Sequence, residues 1–220
     1  MRSLRPVKKL FPNPKAFFFD MDATVICEES LTVLAEFFGV SESVKMITEK
    51  AMNGELDFEQ ALTERLMLLK GVALVEVQSC VDKITYTPGI RTFVQLCKER
   101  RIPCFLVSGG FENFAKKAVS DLGFSGFICN RFEWEKESLT GRFLPPLIDG
   151  EGKAKFLVEK CLDLGISCRD VVAVGDGAND MAMMKEAGFS VGYLPKKSVR
   201  QIADYTNDGG NHLEMTNIFF

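Results

Sequence analysis

The stretch Ala16-Phe17-Phe18-Phe19-Asp20-Met21-Asp22-Ala23-Thr24 sets the reading of the whole chain. Four apolar residues follow Pro14 and end at an acidic pair. A run this short, apolar throughout and without alternation, suits a strand covered on both faces. Two further runs behave the same way. Residues 104–107 end at Ser108-Gly109-Gly110, and residues 171–174 end at Gly175-Asp176-Gly177-Ala178-Asn179-Asp180. Weaker strand signals lie at 126–129, at 190–194 and near 204–206. Between them, residues 89–100, 112–122, 153–164 and 180–187 carry helical apolar periods. Alternating strands and helices predict an α/β fold, a doubly wound parallel sheet with helices on both faces.

One stretch breaks the alternation. Residues 29–84 give only helical signals, at 31–38, 41–52, 58–69 and 75–84, separated by Gly39, Asn53-Gly54 and Gly71. This predicts a helical cap inserted into a core formed by 16–28 and 85–220. Residues 1–15, basic and holding Pro6, Pro12 and Pro14, read as a leader into the first strand. Residues 130–143, with alternating aromatics, Thr140-Gly141 and Trp134, read as a small β-hairpin flap.

Composition excludes several classes. A net charge of −3 argues against nucleic acid or an anionic membrane as the partner. No run is long and apolar enough to span a bilayer. The seven cysteines form no C-x-x-C pair, which suits free thiols in a reducing cytoplasm.

In an open α/β sheet the ligand site lies beyond the carboxyl ends of the strands. The three loops after the apolar runs therefore meet at one edge and bring together Asp20, Asp22, Asp176 and Asp180. Such a cluster repels itself unless a cation sits within it, and oxygen-only ligands select a hard ion, Mg²⁺. The four aspartates are the expected metal group. A phosphate dianion could then approach, met by Ser108 and Gly109 and by Lys155 near a helix start. The D-x-D spacing puts both carboxylates on one side of an extended segment at different depths. Asp20 would attack phosphorus. Asp22 would protonate the leaving alcohol and then activate water.

These motifs, taken together and in order, resemble those of the haloacid dehalogenase superfamily: Asp20-x-Asp22-x-Thr24, Ser108-Gly109-Gly110 with Lys155, and Gly175-Asp176-Gly177-x-Asn179-Asp180. Within it, residues from about 17 to 204 resemble the phosphoserine phosphatases. The resemblance implies a Rossmann-like core with a helical-bundle cap, Mg²⁺ as cofactor, Asn179 on the phosphate side and Gly110 on the substrate side. It also implies a substrate pocket of Glu29, Met52, Phe58 and Arg65. Glu29 would pair the substrate ammonium and Arg65 would grip its carboxylate. The implied reaction is hydrolysis of phosphoserine through an aspartyl-phosphate in serine biosynthesis, with a homodimer compatible with the resemblance. A phosphatase or phosphotransferase for another small metabolite, and a catalytically silent binding protein, are the competing readings. Position 23 departs from the pattern, holding Ala where those phosphatases usually have Ser and many relatives have Gly. The single His212, in a polar Gly-rich tail, reads as a surface residue.

Overall fold

The computed structural model describes residues 10–220, the Met52 side chain excepted. Nine of the fifteen predicted leader residues, 1–9, thus lie outside the described residues. Strand β1 (Ala16–Phe19) is followed by four helices, α1 (Ser30–Phe37), α2 (Ser41–Met52), α3 (Phe58–Met67) and α4 (Leu74–Val81). Then come α5 (Ile90–Glu99), β2 (Cys104–Phe111), α6 (Glu112–Leu122), β3 (Gly126–Glu135), β4 (Ser138–Leu144) and α7 (Gly150–Leu164). The chain ends with β5 (Val171–Gly175), α8 (Met181–Glu186), β6 (Phe189–Tyr193), α9 (Lys197–Arg200), β7 (Tyr205–Asn207) and α10 (Thr216–Phe219).

The seven strands form one sheet in the order β4-β3-β2-β1-β5-β6-β7. Every pairing is parallel except β3 with β4. The chain builds outward from β1 to β4, then returns to the other side of β1 at β5. That reversal places a topological switch point at the carboxyl end of β1, where open sheets bind ligands. The sheet is sealed on both faces, which explains the unbroken apolar strands. Phe17 and Phe19 pack on one side with Phe93 and Phe219, while Phe18 packs on the other with Phe105 and Phe156.

The helices α1–α4 occupy the predicted insertion. Their two connections to the core run side by side, with Cys27 N–H donating to Thr85 O at 3.0 Å and Thr87 N–H to Val25 O at 3.0 Å. The hairpin differs in detail from a separate flap. Strand β3 runs continuously from the parallel sheet into it, and Phe132 stacks on Phe111 at 3.7 Å between ring centres. Its far side is tied to the α3–α4 connection through Gly71 N–H to Leu139 O at 2.8 Å and Leu74 N–H to Glu137 O at 2.7 Å. Strand β2 is also longer than the apolar run suggests. A register shift between Val107 and Phe111 marks a bulge, so Ser108-Gly109-Gly110 is the irregular end of a strand and α6 starts only at Glu112.

Candidate active site

Each acid is placed by its strand. Asp20 follows β1 directly, and its backbone N–H donates to Val174 O on β5 at 2.8 Å. Asp176 follows β5, and Asp180 closes the next turn. The Asp180 carboxylate is held at both oxygens: Oδ2 accepts from the N–H groups of Asp176 and Gly177, both at 3.1 Å, and Oδ1 accepts from Lys153 at 2.8 Å, which leaves Oδ1 a further acceptor site. A Cβ on residue 175 would lie 2.4 Å from Asp180, so this turn requires glycine there. Asp20, Asp176 and Asp180 are buried, and each offers a carboxylate oxygen within 4.8 Å of the others.

Asp22 stands outside that trio, which corrects its expected place as a fourth ligating side chain. Its Oδ2 accepts from the Ser30 hydroxyl at 2.8 Å, and its Oδ1 is buried with no partner among the described residues. The chain leaves β1 at Asp20 and turns at once, with the N–H groups of Val25 and Ile26 donating to Met21 O at 2.8 and 3.0 Å, so Asp20 joins the cluster while Asp22, on the turn, meets the first turn of α1. Burial, reinforced by Glu29, raises the Asp22 carboxyl to about 7, with the Ser30 hydroxyl opposing.

The lysine of the site is Lys153, and the expectation of Lys155 is wrong. Lys153 is fully buried and its Nζ lies 2.5 Å from Asp20 Oδ1 and 2.8 Å from Asp180 Oδ1. Lys155 is exposed, and among the described residues its one ion pair is with Glu159, at 3.8 Å. Helix α7 begins at Gly150, three residues earlier than its apolar period indicates, because Asp149 caps it by accepting from Gly152 N–H at 2.8 Å. Residues two apart point to different faces of a helix. Lys153 shares the buried face with Leu157 and Cys161, while Lys155 shares the outer face with Glu159. That spacing is the signal in the sequence that separates the two lysines. Burial opposes the Lys153 charge, but Asp180 and Asp20 more than offset it and hold the ammonium above its ordinary value. Asp20 is itself raised by burial and by Asp180, against the pull of Lys153.

The bulged end of β2 faces this cluster. Ser108 is buried, and its hydroxyl accepts from Gly110 N–H at 2.8 Å. A Cβ at Gly110 would come within 2.8 Å of both Met21 and Ser30, and one at Gly109 would meet the Phe58 ring at 3.5 Å. Phe58, from the helical insertion, thus sits over the loop. Asn130, which the sequence did not single out, fixes that loop from behind. It is buried, donates to Gly109 O at 2.8 Å and Ile148 O at 3.1 Å, and accepts from Ile148 N–H at 2.8 Å.

Glu29 is exposed at the mouth, at the N-cap position of α1. Arg65 is partly buried, its Nε donating to Ala61 O at 3.0 Å. Burial lowers its pKa while Glu29 and Asp22 oppose, which places all three within one electrostatic neighbourhood. The Met52 side chain lies outside the described ones. Asn179 is exposed on the turn after β5, its side chain near Gly177. Lys196 has no signal in the sequence, yet its Nζ lies 2.8 Å from Asp176 and 3.6 Å from Glu29.

Ala23 adopts φ +56°, a left-handed conformation that glycine tolerates best. His212 contradicts its reading as a surface residue. It is fully buried, stacks on Tyr193 at 4.3 Å, and its Nε2 lies 2.9 Å from Thr24 O and 3.1 Å from the Thr87 hydroxyl. The C-terminal segment folds back beneath the D-x-D loop, so a polar tail becomes part of its support.

Comparison with known proteins settles the lineage. A family model described as haloacid dehalogenase-like hydrolase matches residues 17–185. This chain belongs to the haloacid dehalogenase-like hydrolases. Among curated members of that family, it is 40% identical over 203 residues to a phosphoserine phosphatase of Polaromonas, covering 89% of this chain and 86% of that one. It is 37% identical over 211 residues to one of Albidiferax ferrireducens, covering 93% and 89%. A solved structure described as a phospho-aspartyl intermediate analogue of phosphoserine phosphatase superposes with a TM-score of 0.88 at 33% identity, covering 94% of this chain and all of that one.

Proposed function

We propose that this chain hydrolyses O-phospho-L-serine to L-serine and phosphate through an aspartyl-phosphate on Asp20. The observation that carries the reading is the Asp20–Lys153–Asp180 arrangement at the carboxyl end of β1, with Asp22 held apart and raised to about 7. Asp20 attacks phosphorus as the serine oxygen departs, and Asp22 in its acid form gives that oxygen a proton. Water then attacks the aspartyl-phosphate. Asp22, now ionised, takes its proton, and phosphate leaves. Lys153 neutralises charge from within the fold, where a low dielectric makes its contribution large.

Three buried carboxylates with oxygen donors within 4.8 Å fit a hard divalent cation, and Asp20, Asp176 and Asp180 would hold magnesium. When bound, the ion neutralises the cluster as the phosphate dianion enters. Ser108 and the Gly109–Gly110 backbone receive the phosphoryl oxygens, with Asn179 at the edge of the turn. Glu29 and Arg65 take the ammonium and carboxylate of the amino-acid end, and Phe58 shields the reacting centre from water. The α1–α4 insertion acts as the cap that closes over the substrate. Seven free cysteines suit a reducing cytoplasm, where the release of serine would serve serine biosynthesis.

Phosphate release from phosphoserine and from a phosphomonoester lacking both ammonium and carboxylate tests this, each with and without a chelator. Asp20→Asn should abolish turnover of both substrates. Arg65→Ala should lower kcat/KM for phosphoserine at least tenfold more than for the other, on the order of one charge-assisted contact. Equal losses would defeat the substrate assignment.

A further inference from the structure

Lys196 reaches the site from the side opposite Lys153. Its side chain is 61% exposed and crosses the rim to place Nζ 2.8 Å from Asp176 Oδ2 and 3.6 Å from Glu29 Oε1. Its backbone N–H donates to Asp176 O, also at 2.8 Å, so one residue holds both ends of Asp176. The β6–α9 loop is shaped to deliver it. Leu194 takes the unfavourable φ of +40°, and its N–H donates to Asn207 O at 3.0 Å. Pro195 packs so closely on Gly192 that a Cβ there would lie 2.9 Å away. Strain at one residue and a tight fit at the next argue against a wandering surface lysine.

We infer that Lys196 is a positioning residue that contests Asp176 with the divalent cation and so sets how tightly the cation is held. The inference rests on the assignment of Asp176 as a ligand. An ammonium and a dication touching one carboxylate repel each other, so binding the ion requires Lys196 to move outward, toward Glu29 or solvent. Lys153 does not take this part, because it is buried and its ion pairs are with Asp20 and Asp180, not with Asp176.

The test is direct calorimetric titration of the whole protein with Mg²⁺, together with the rise in melting temperature that saturating Mg²⁺ produces. Lys196→Met should bind Mg²⁺ more tightly, by roughly fivefold, the scale of one partly exposed ion pair. Its melting temperature without the ion should fall, and the rise on adding Mg²⁺ should exceed that of wild type. Lys196→Arg, which keeps the charge, should stay within about twofold of wild type. Unchanged or weaker binding in Lys196→Met overturns the inference, as does an equal loss of melting temperature with and without the ion. Asp176→Asn serves as the control. If it binds Mg²⁺ like wild type, the ligand assignment has failed and the inference with it. If it does not bind, Asp176 is a ligand and the Lys196 variants decide the inference alone.

Discussion

Replacing Lys153 by Met removes a charge while preserving most of the side-chain volume, and it probes the site at its most enclosed point. Lys153 is fully buried between Asp20, at 2.5 Å, and Asp180, at 2.8 Å. Breaking a buried charge cluster by removing one partner costs about 3–5 kcal/mol in stability. Loss of a preorganised electrostatic contact at a reacting centre lowers kcat by roughly 10²–10³. Lys155→Ala is the matched comparison. Lys155 is solvent-exposed and 3.8 Å from Glu159, and a pair of that kind contributes at most about 0.5 kcal/mol. Phosphate release and urea unfolding, both with Mg²⁺ present and kinetics taken well below the unfolding midpoint, read the two effects separately. Lys153→Met should lose at least a hundredfold in kcat/KM and several kcal/mol in stability, and Lys155→Ala should change neither. If Lys153→Met keeps kcat within tenfold, or if Lys155→Ala carries the loss, the electrostatic account of the site is wrong.

Asp22, raised to about 7, serves as an acid only while protonated, so phosphorylation of Asp20 should fall off above that pH by about tenfold per unit. Single-turnover rates across pH 6–9 measure this, and Asp22→Asn should remove the limb together with most of the rate. His212 is held down to about 4 by burial, with its bond to Thr24 opposing, whereas an unfolded histidine titrates at 6.5. The unfolded chain takes up the proton first, so this stability is complete above 6.5 and is lost as pH falls toward 4, by about 3 kcal/mol across the range. Asp22 titrates in the opposite sense nearby, so the difference in urea unfolding between wild type and His212→Gln isolates the histidine, and a pH-independent difference would refute it. Asn130→Ala strands Gly109 O and both polar groups of Ile148, which should cost about 2–4 kcal/mol by urea unfolding and lower kcat through the displaced loop. A loss under 0.5 kcal/mol would show that the loop does not depend on it.

The strands and most of the helices were legible because their cause is local. An apolar run such as 171–174 needs cover on both faces wherever it lies, and residues 41–52 are helical in the sequence period and in the structure alike. The acids were legible because parallel strands must deliver their carboxyl ends to one edge. The lysine was misread, because the start of α7 is set by a cap at Asp149 three residues before the apolar stripe begins, and only the spacing of Lys153 from Leu157 and Cys161 separates it from Lys155. The bulge that extends β2 to Phe111 comes from pairing with β3, which residues 108–110 do not announce.

By itself, the sequence determined a sheet sealed on both faces, a helical insertion after the first strand, and the convergence of Asp20, Asp176 and Asp180, since each follows from period and punctuation along the chain. Only the tertiary structure decided which lysine is buried, that Asp22 pairs with Ser30 away from the cluster, and that Asn130, Lys196 and His212 support the site. Those contacts join residues as far apart as Thr24 and His212, and they exist only because burial made each polar group find a partner.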